Sequence, residues 1–279
     1  MNSLTEKTVI ITGGSLGVGA ATARRFADAG ANLLLAARGA DALRNIAEEL
    51  RPRTNVRTAP MDVSDAAACA DLLELAAREF GSVDVLVNNA GYHRRGPVQN
   101  VAAEDLGRMI DVNLKAPIML CRLAIPYMLK SGGPAAIINV ASLAGRVPLH
   151  GAATYSASKF GLRAFTFALG EELRRSNIKL AAVSPGPVDT GFIMSNIDDV
   201  EDITFSQPLS TADEVAAEIV SLCLDRRRER SMPPVSGGLA TLSYLFPWLG
   251  RQLRPLLVRR GRSVKRRLKK EMAAKTGKR

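Results

Sequence analysis

Apolar and polar positions in this chain follow two periods. Solid apolar runs at residues 9–12, 32–36, 56–60, 83–87, 135–140 and 178–183 have the length of buried strands. Alanine-rich or amphipathic stretches at 17–29, 42–50, 65–80, 115–129 and 154–174 lie between them and predict helices. Strands that alternate with helices predict an α/β chain, a doubly wound parallel sheet with helices on both faces. Thr211-Ala212-Asp213-Glu214 has capping-box spacing and starts a helix expected to run to about Asp225. Residues 231–235 predict a last strand, and Pro233 and Pro234 place it at a sheet edge. Residues 190–209 show no period and are long for a connection, which points to a lid.

Composition adds the core and the charge asymmetry. With 47% hydrophobic and 23% charged residues, 279 residues can bury a substantial core. Residues 226–279 hold 17 Lys+Arg and 2 Asp+Glu, a net of +15, which leaves −4 of the total +11 for residues 1–225. The chain is therefore a mildly acidic body with a basic tail. Cys69, Cys121 and Cys223 are widely spaced, match no metal pattern and read as buried small hydrophobes in a reducing compartment. Residues 9–11 lead straight into a glycine turn and read as a first strand rather than a secretion signal. His93 and His150 have no cysteine or carboxylate at ligand spacing, so no metal site is expected.

The candidate chemistry starts at that turn, Thr12-Gly13-Gly14-Ser15-Leu16-Gly17-Val18-Gly19. Gly13, Gly17 and Gly19 stand where a strand hands over to a helix. There the backbone can turn tightly and bring N–H groups against a phosphate. This is the context of a Rossmann-like dinucleotide site. The second expected strand ends Leu35-Ala36-Ala37-Arg38, with an Arg and no carboxylate. A carboxylate would bond the ribose 2′-hydroxyl of NAD, whereas Arg suits a 2′-phosphate, so NADP(H) is expected over NAD(H). Tyr155 and Lys159 share one helical face at i and i+4. A phenol titrates near 10 in water, and a neighbouring ammonium is expected to lower that value and make an acid/base group.

With these residues, Asn88-Asn89-Ala90-Gly91, Asn113 and Ser142 in order, residues 5–225 resemble the classical short-chain dehydrogenase/reductase family. The resemblance implies that Asn113, Ser142, Tyr155 and Lys159 are catalytic. It implies a cofactor site of Gly13, Ser15, Leu16, Gly17, Gly19, Arg38, Asp62, Val63, Asn89, Ala90, Gly91, Pro185, Gly186, Val188 and Thr190, joined by Tyr155 and Lys159. Asp62 and Val63 would contact adenine, and Thr190 the carboxamide. Ser142 would polarise a substrate carbonyl and Tyr155 protonate it, while Asn113 holds a water that resupplies the proton through Lys159. The partners implied are a small-molecule carbonyl or alcohol and a second copy in a homodimer or tetramer through the helices at 115–129 and 154–174. The competing class is a non-catalytic NADPH-binding sensor or scaffold, which would need no tuned phenol.

Outside these motifs, His93, Arg94 and Arg95 read as a surface turn more than as an attractor for an anionic substrate. Phe192, Ile193, Met194 and Phe205 give the lid apolar side chains, which suits an apolar substrate or simple packing of the lid on the body. The chain divides into a catalytic domain, residues 1–236, and an extension, residues 237–279. Residues 239–249 are apolar and aromatic, Pro247 and Pro255 are expected to break or bend helices, and Val264, Leu268 and Met272 recur at i, i+4, i+8 among basic residues. This pattern reads as an anchor to an anionic membrane surface, so that the protein is cytoplasmic and peripheral at the inner membrane face. The alternative is that residues 239–257 cap the substrate pocket or pack on a partner subunit. The final basic residues carry no aromatics, so specific nucleic-acid binding is not expected.

Overall fold

A computed structural model describes residues 1–195 and 197–276. Asn196 of the expected lid and residues 277–279 of the expected extension lie outside them. The first half runs β1 (Thr8–Thr12), α1 (Gly17–Asp28), β2 (Asn32–Ala37), α2 (Ala40–Leu50), β3 (Val56–Pro60), α3 (Ala66–Phe80) and β4 (Val85–Asn88). Next come α4 (Ala103–Ile110), α5 (Ala116–Ser131), β5 (Ala135–Val140), α6 (Ala153–Glu172) and β6 (Ile178–Pro185). The remainder is β7 (Val188–Asp189), α7 (Gly191–Met194), β8 (Ser210–Thr211), α8 (Ala212–Leu224), β9 (Glu229–Met232), α9 (Pro234–Leu245) and α10 (Pro247–Thr276).

Seven strands pair in parallel in the order β3-β2-β1-β4-β5-β6-β9. Successive residues of a strand face opposite sides, so a sheet covered on both faces needs apolar residues throughout. Val9, Ile11, Leu33 and Leu35 enter one core with α1, α2 and α8, while Ile10, Leu34 and Ala36 enter the other with α3 and α5. That is why the strands read as solid apolar runs. From β1 the chain builds outward to β3, then returns to β4 and builds the other way. Strand order reverses between β1 and β4, and a ligand crevice is expected there at the carboxyl ends of the strands.

Three features depart from the expectations. Helix α4 gave no recognised signal; it passes through a π-helical turn, Asp111–Lys115, directly into α5. The joined segment Ala103–Ser131 is long and apolar enough by composition to cross a membrane. Its Leu120, Cys121, Ala124 and Met128 nevertheless pack beneath the sheet. The last strand comes earlier than expected. It is at the edge, but Pro233 caps α9 and Pro234 opens it, where a missing N–H costs nothing.

The largest departure is the extension. Pro247 begins α10, and Pro255 lies within a helix that continues to Thr276. Gly261 packs so closely on the 202–206 turn that a Cβ there would fall 1.8 Å from the Asp202 carbonyl oxygen. Val264 and Leu268 join Ile193, Ile197, Val200 and Phe205 in a small core of their own. Lys265 Nζ donates to the carbonyls of Asp198 (3.1 Å) and Val200 (2.6 Å), Arg262 bonds Asp202 (3.0 Å), and Lys269 pairs with Asp198. The expected lid is therefore held from outside by α10.

The edge strand is pinned by Glu229. Its carboxylate accepts from Arg146 Nε (3.1 Å), Arg163 Nε and Nη2 (both 2.9 Å) and Ser184 Oγ (2.8 Å). Burial pushes this carboxyl up, but the Arg163 and Ser184 bonds win and hold it below the usual carboxylate range. Glu229→Ala strands two half-buried guanidinium groups. It should lower unfolding free energy in urea by about 3 kcal/mol, as breaking a buried ion pair does; a loss under about 0.5 kcal/mol, the size of a surface effect, would show that Glu229 does not anchor β9.

Candidate active site

A cleft of about 1510 Å³ opens at the carboxyl ends of the strands. Of the expected catalytic and cofactor residues, all but Asn113 line it. Its floor is the β1–α1 turn. Gly13 and Gly17 adopt left-handed φ of 63° and 53°. At Gly19 a Cβ would lie 2.0 Å from the Gly13 carbonyl oxygen, so no larger residue fits. Asn89 holds the turn: its side-chain amide donates to the carbonyls of Thr12 (2.9 Å) and Gly13 (3.1 Å). Thr12 Oγ1 accepts from the backbone amides of Asn89 (3.0 Å) and Ala90 (3.1 Å). Leu16 precedes α1 and provides no side-chain cap, which leaves first-turn N–H groups to meet a phosphate. The cradle therefore fits a dinucleotide pyrophosphate.

Toward the adenosine end, Arg38 is exposed just past β2 and has no hydrogen-bond or ion-pair partner among the described residues. Asp62 accepts from the Ser64 amide (3.0 Å) and hydroxyl (2.8 Å) and pairs with Arg108 (2.6 Å). Burial raises its pKa, but these bonds prevail and hold it below the usual range. Val63 packs with Val112 and Ala116. On the opposite wall, Pro185 ends β6, the Gly186 amide donates to the Met232 carbonyl (2.7 Å), and Val188 pairs with Ser210. Thr190 precedes α7 without capping it, and its methyl group approaches Gly17.

Tyr155 and Lys159 lie a turn apart on α6, both buried, beside the end of β5. The Ser142 hydroxyl acts on the Tyr155 phenol and pulls its pKa down against burial. Ser142 also caps the turn after β5: its Oγ accepts from the Ala144 amide (3.1 Å) and donates to the Pro185 carbonyl (3.4 Å). Lys159 Nζ donates to the Val140 carbonyl at 2.8 Å and lies 5.9 Å from the centre of the Tyr155 ring. Burial pushes the Lys159 ammonium down to about 8.

This geometry corrects the expected tuning. Burial raises the Tyr155 phenol above the usual tyrosine range, and the groups that pull it back are Ser142 and the charge of Arg95. A buried site disfavours the charged form of either group, so the phenol keeps its proton across neutral pH.

The surface-turn reading of His93 and Arg95 is also corrected. The His93 ring stacks on Tyr155, centroids 4.0 Å apart and 13° from parallel. Burial, with help from Arg95 and Lys159, pushes His93 down to about 3, so it is neutral. Its Nε2 is buried without a hydrogen-bond partner among the described residues. Arg95 donates to the Phe192 carbonyl (3.1 Å) and sits 5.8 Å over that ring, which joins this corner to α7. Asn113 is fully buried instead of facing the cleft. Its amide donates to the Tyr92 carbonyl (2.8 Å) and Ser158 Oγ (3.2 Å), and its oxygen accepts from the Tyr92 amide (2.8 Å). Both amide hydrogens are committed, so the Asn113 side chain ties the segment that ends at Tyr92 to α6. The signal missed for Arg108 was its charge on an unrecognised helix, and for His93 its place directly after Asn88-Asn89-Ala90-Gly91.

Residues 7–201 match the family model for short chain dehydrogenases, and the chain belongs to that family. It is similar to sulfoacetaldehyde reductase 2 of Chromohalobacter salexigens, 38% identical over 187 residues, 67% of this chain and 74% of the relative. An uncharacterized oxidoreductase of Staphylococcus aureus (strain N315) is 33% identical over 190 residues, 68% of this chain and 81% of the relative. Among solved structures, a short chain dehydrogenase/reductase from Burkholderia phymatum in complex with NAD superposes with a TM-score of 0.81. That pair is 26% identical and covers 90% of this chain and 97% of the other. The protein is therefore an oxidoreductase of a family that uses a nicotinamide cofactor.

The depressed His93 value has a signed consequence. Between about 6.5 and 3 the unfolded chain binds a proton on His93 that the folded chain refuses, so stability falls as pH falls. His93→Phe keeps a ring against Tyr155 and removes that proton. In urea titrations from pH 6.5 to 4, wild type should lose stability relative to the variant by up to about 1.4 kcal/mol per pH unit; parallel curves would show that His93 titrates normally.

Proposed function

We propose that the protein is an NADP(H)-dependent oxidoreductase that interconverts a carbonyl and an alcohol on an apolar substrate, with Tyr155 as the acid/base. The observation that supports this most is the buried Tyr155 phenol, which lines with Ser142 and Lys159 the same cleft as the glycine cradle. A reductase among the relatives acts on an aldehyde, by its name, which agrees with the reaction class.

When bound, NADPH supplies the hydride. Ser142 bonds the substrate oxygen and polarises the carbonyl. A protonated phenol suits the reducing direction: an alkoxide is a far stronger base than a phenolate, so the proton passes downhill from Tyr155 to the forming alkoxide. Arg95 eases the phenolate left behind, because its charge already acts on that ring. Lys159 is held by Val140 at the foot of the same pocket and stands ready for the ribose hydroxyls. Asn113, through Tyr92 and Ser158, keeps the cleft wall in register. His93 offers Nε2 to a substrate polar group.

The preference for NADP(H) rests on Arg38. It follows β2 with an exposed guanidinium where a carboxylate would favour the ribose diol; the Burkholderia phymatum relative was solved with NAD. The apolar substrate rests on Leu143, Val147, Phe192, Ile193, Leu253 and Leu257 in the cleft wall. We further assign a homodimer through α5 and α6, with Ile118 and Leu129 exposed on α5, and a cytoplasmic protein whose basic extension meets an anionic membrane surface.

Two variants test the reading. Tyr155→Phe should lower kcat for NADPH-dependent reduction across an aldehyde and ketone panel by about 10²–10⁴-fold, with NADPH affinity kept; near-normal kcat would remove Tyr155 from the chemistry. Arg38→Asp should weaken NADPH by about 10–100-fold and leave NADH nearly unchanged in fluorescence titrations. Equal losses for both nucleotides would refute the 2′-phosphate role.

A further inference from the structure

The extension combines two surfaces on one element. At 3.6 residues per turn, positions 261, 264 and 268 form the stripe of α10 that packs on the lid. Positions 248, 252, 256, 259, 263, 266 and 270 form the opposite stripe, and every one of them is exposed. That outer stripe begins with Trp248 and Leu256 and continues with Arg259, Arg266 and Lys270, none of which pairs with an acid among the described residues. Arg259, Arg262, Arg266, Arg267 and Lys270 line a shallow basic groove beside Ser263.

The apolar part continues onto α9. Of the sixteen large hydrophobic residues exposed among the described residues, nine lie between Val235 and Leu256. A cluster of that kind marks an interaction surface rather than scattered exposure. Leu239, Leu242, Tyr244 and Leu253 are both exposed and part of the cleft wall, so the cleft opens onto this patch.

We propose that α9 and the outer stripe of α10 form one docking plane for an anionic lipid bilayer, with the mouth of the substrate cleft inside that plane. This deepens the apolar-substrate and membrane readings above and rests on them. Trp248, Phe246 and Leu245 sit at the acyl boundary, and the arginine groove meets lipid phosphates. Charge complementarity selects this occupant. The segment 226–279 carries +15, so two copies joined through it would bring like charges together, whereas anionic headgroups neutralise them. A nucleic acid would satisfy the arginines but leave the apolar half of the stripe in water. In the docked state an apolar substrate passes between the bilayer and Tyr155 without crossing water. Because the inner stripe of the same helix holds the lid, docking and the lid share one rigid element.

Trp248 is the only tryptophan in the chain, so its emission reports docking directly. With vesicles of equimolar phosphatidylglycerol and phosphatidylcholine bearing brominated acyl chains, the full chain should show blue-shifted, quenched emission, absent with phosphatidylcholine alone. Arg259→Glu with Arg266→Glu should weaken vesicle binding at least about tenfold, as each basic residue near an anionic surface is worth on the order of 1 kcal/mol. The native cysteines are all buried, so a Leu239→Cys variant can be labelled selectively at the cleft mouth with a polarity-sensitive dye. That dye should also shift on the vesicles, and a dye on Glu48→Cys, exposed on α2, should not. Unshifted Trp248 emission on anionic vesicles overturns the docking. A Trp248 shift that depends on protein concentration without lipid, or binding to DNA as tight as to vesicles, overturns the choice of occupant. Insertion of Trp248 with the position-239 dye still in water overturns the placement of the cleft mouth. None of these readouts needs turnover, so a failure of the proposed reaction remains distinguishable from a failure of docking.

Discussion

One buried hydrogen bond, from the Lys159 ammonium to the Val140 carbonyl at 2.8 Å, ties the helix that carries Tyr155 to the strand that ends beside Ser142. A charged group taken out of water needs a partner of this kind, and burial here still pushes Lys159 down to about 8. The bond sets how α6 meets β5. Tight packing enforces the same approach, because a Cβ on Gly145 would fall 2.6 Å from the Lys159 carbonyl oxygen. Ser142, Tyr155 and the turn between them are consequences of that junction.

Burial also decides the electrostatics. In a dry corner the neutral form of each ionisable group is favoured, so the phenol keeps its proton, the imidazole stays neutral, and the ammonium is weakened. The groups that oppose this for Tyr155 are Ser142 and Arg95, and Arg95 reaches α7 through the Phe192 carbonyl. The acid/base residue is thereby coupled to the lid, and the lid to α10 through Val264, Leu268 and Lys265. A chain of packed contacts runs from the C-terminal helix to the phenol.

The doubly wound sheet was legible because strands buried on both faces must be apolar at every position, as at Val9–Ile11 and Leu33–Leu35. The cleft residues were legible because glycine requirements and the Tyr155–Lys159 spacing are local. What stayed hidden depends on approach between distant segments. Asn113 looks the same in sequence whether it faces a cleft or ties Tyr92 to Ser158. His93 next to two arginines reads as a solvated turn until its ring is seen against Tyr155. Pro255 argues for a broken helix by local chemistry, yet α10 continues past it, held by the lid core and by Gly261 on Asp202. Tertiary contacts overrode propensity there.

Burial holds the Tyr155 phenol protonated, and the charge of Arg95 opposes it. The direct measurement is an NMR pH titration of the protein alone with ¹³C-labelled tyrosine, the Tyr155 resonance being assigned by its loss in the phenylalanine variant. Tyr155 should titrate above the usual tyrosine range and rise further in Arg95→Leu. A phenol that titrates below that range, or one indifferent to Arg95, would contradict this.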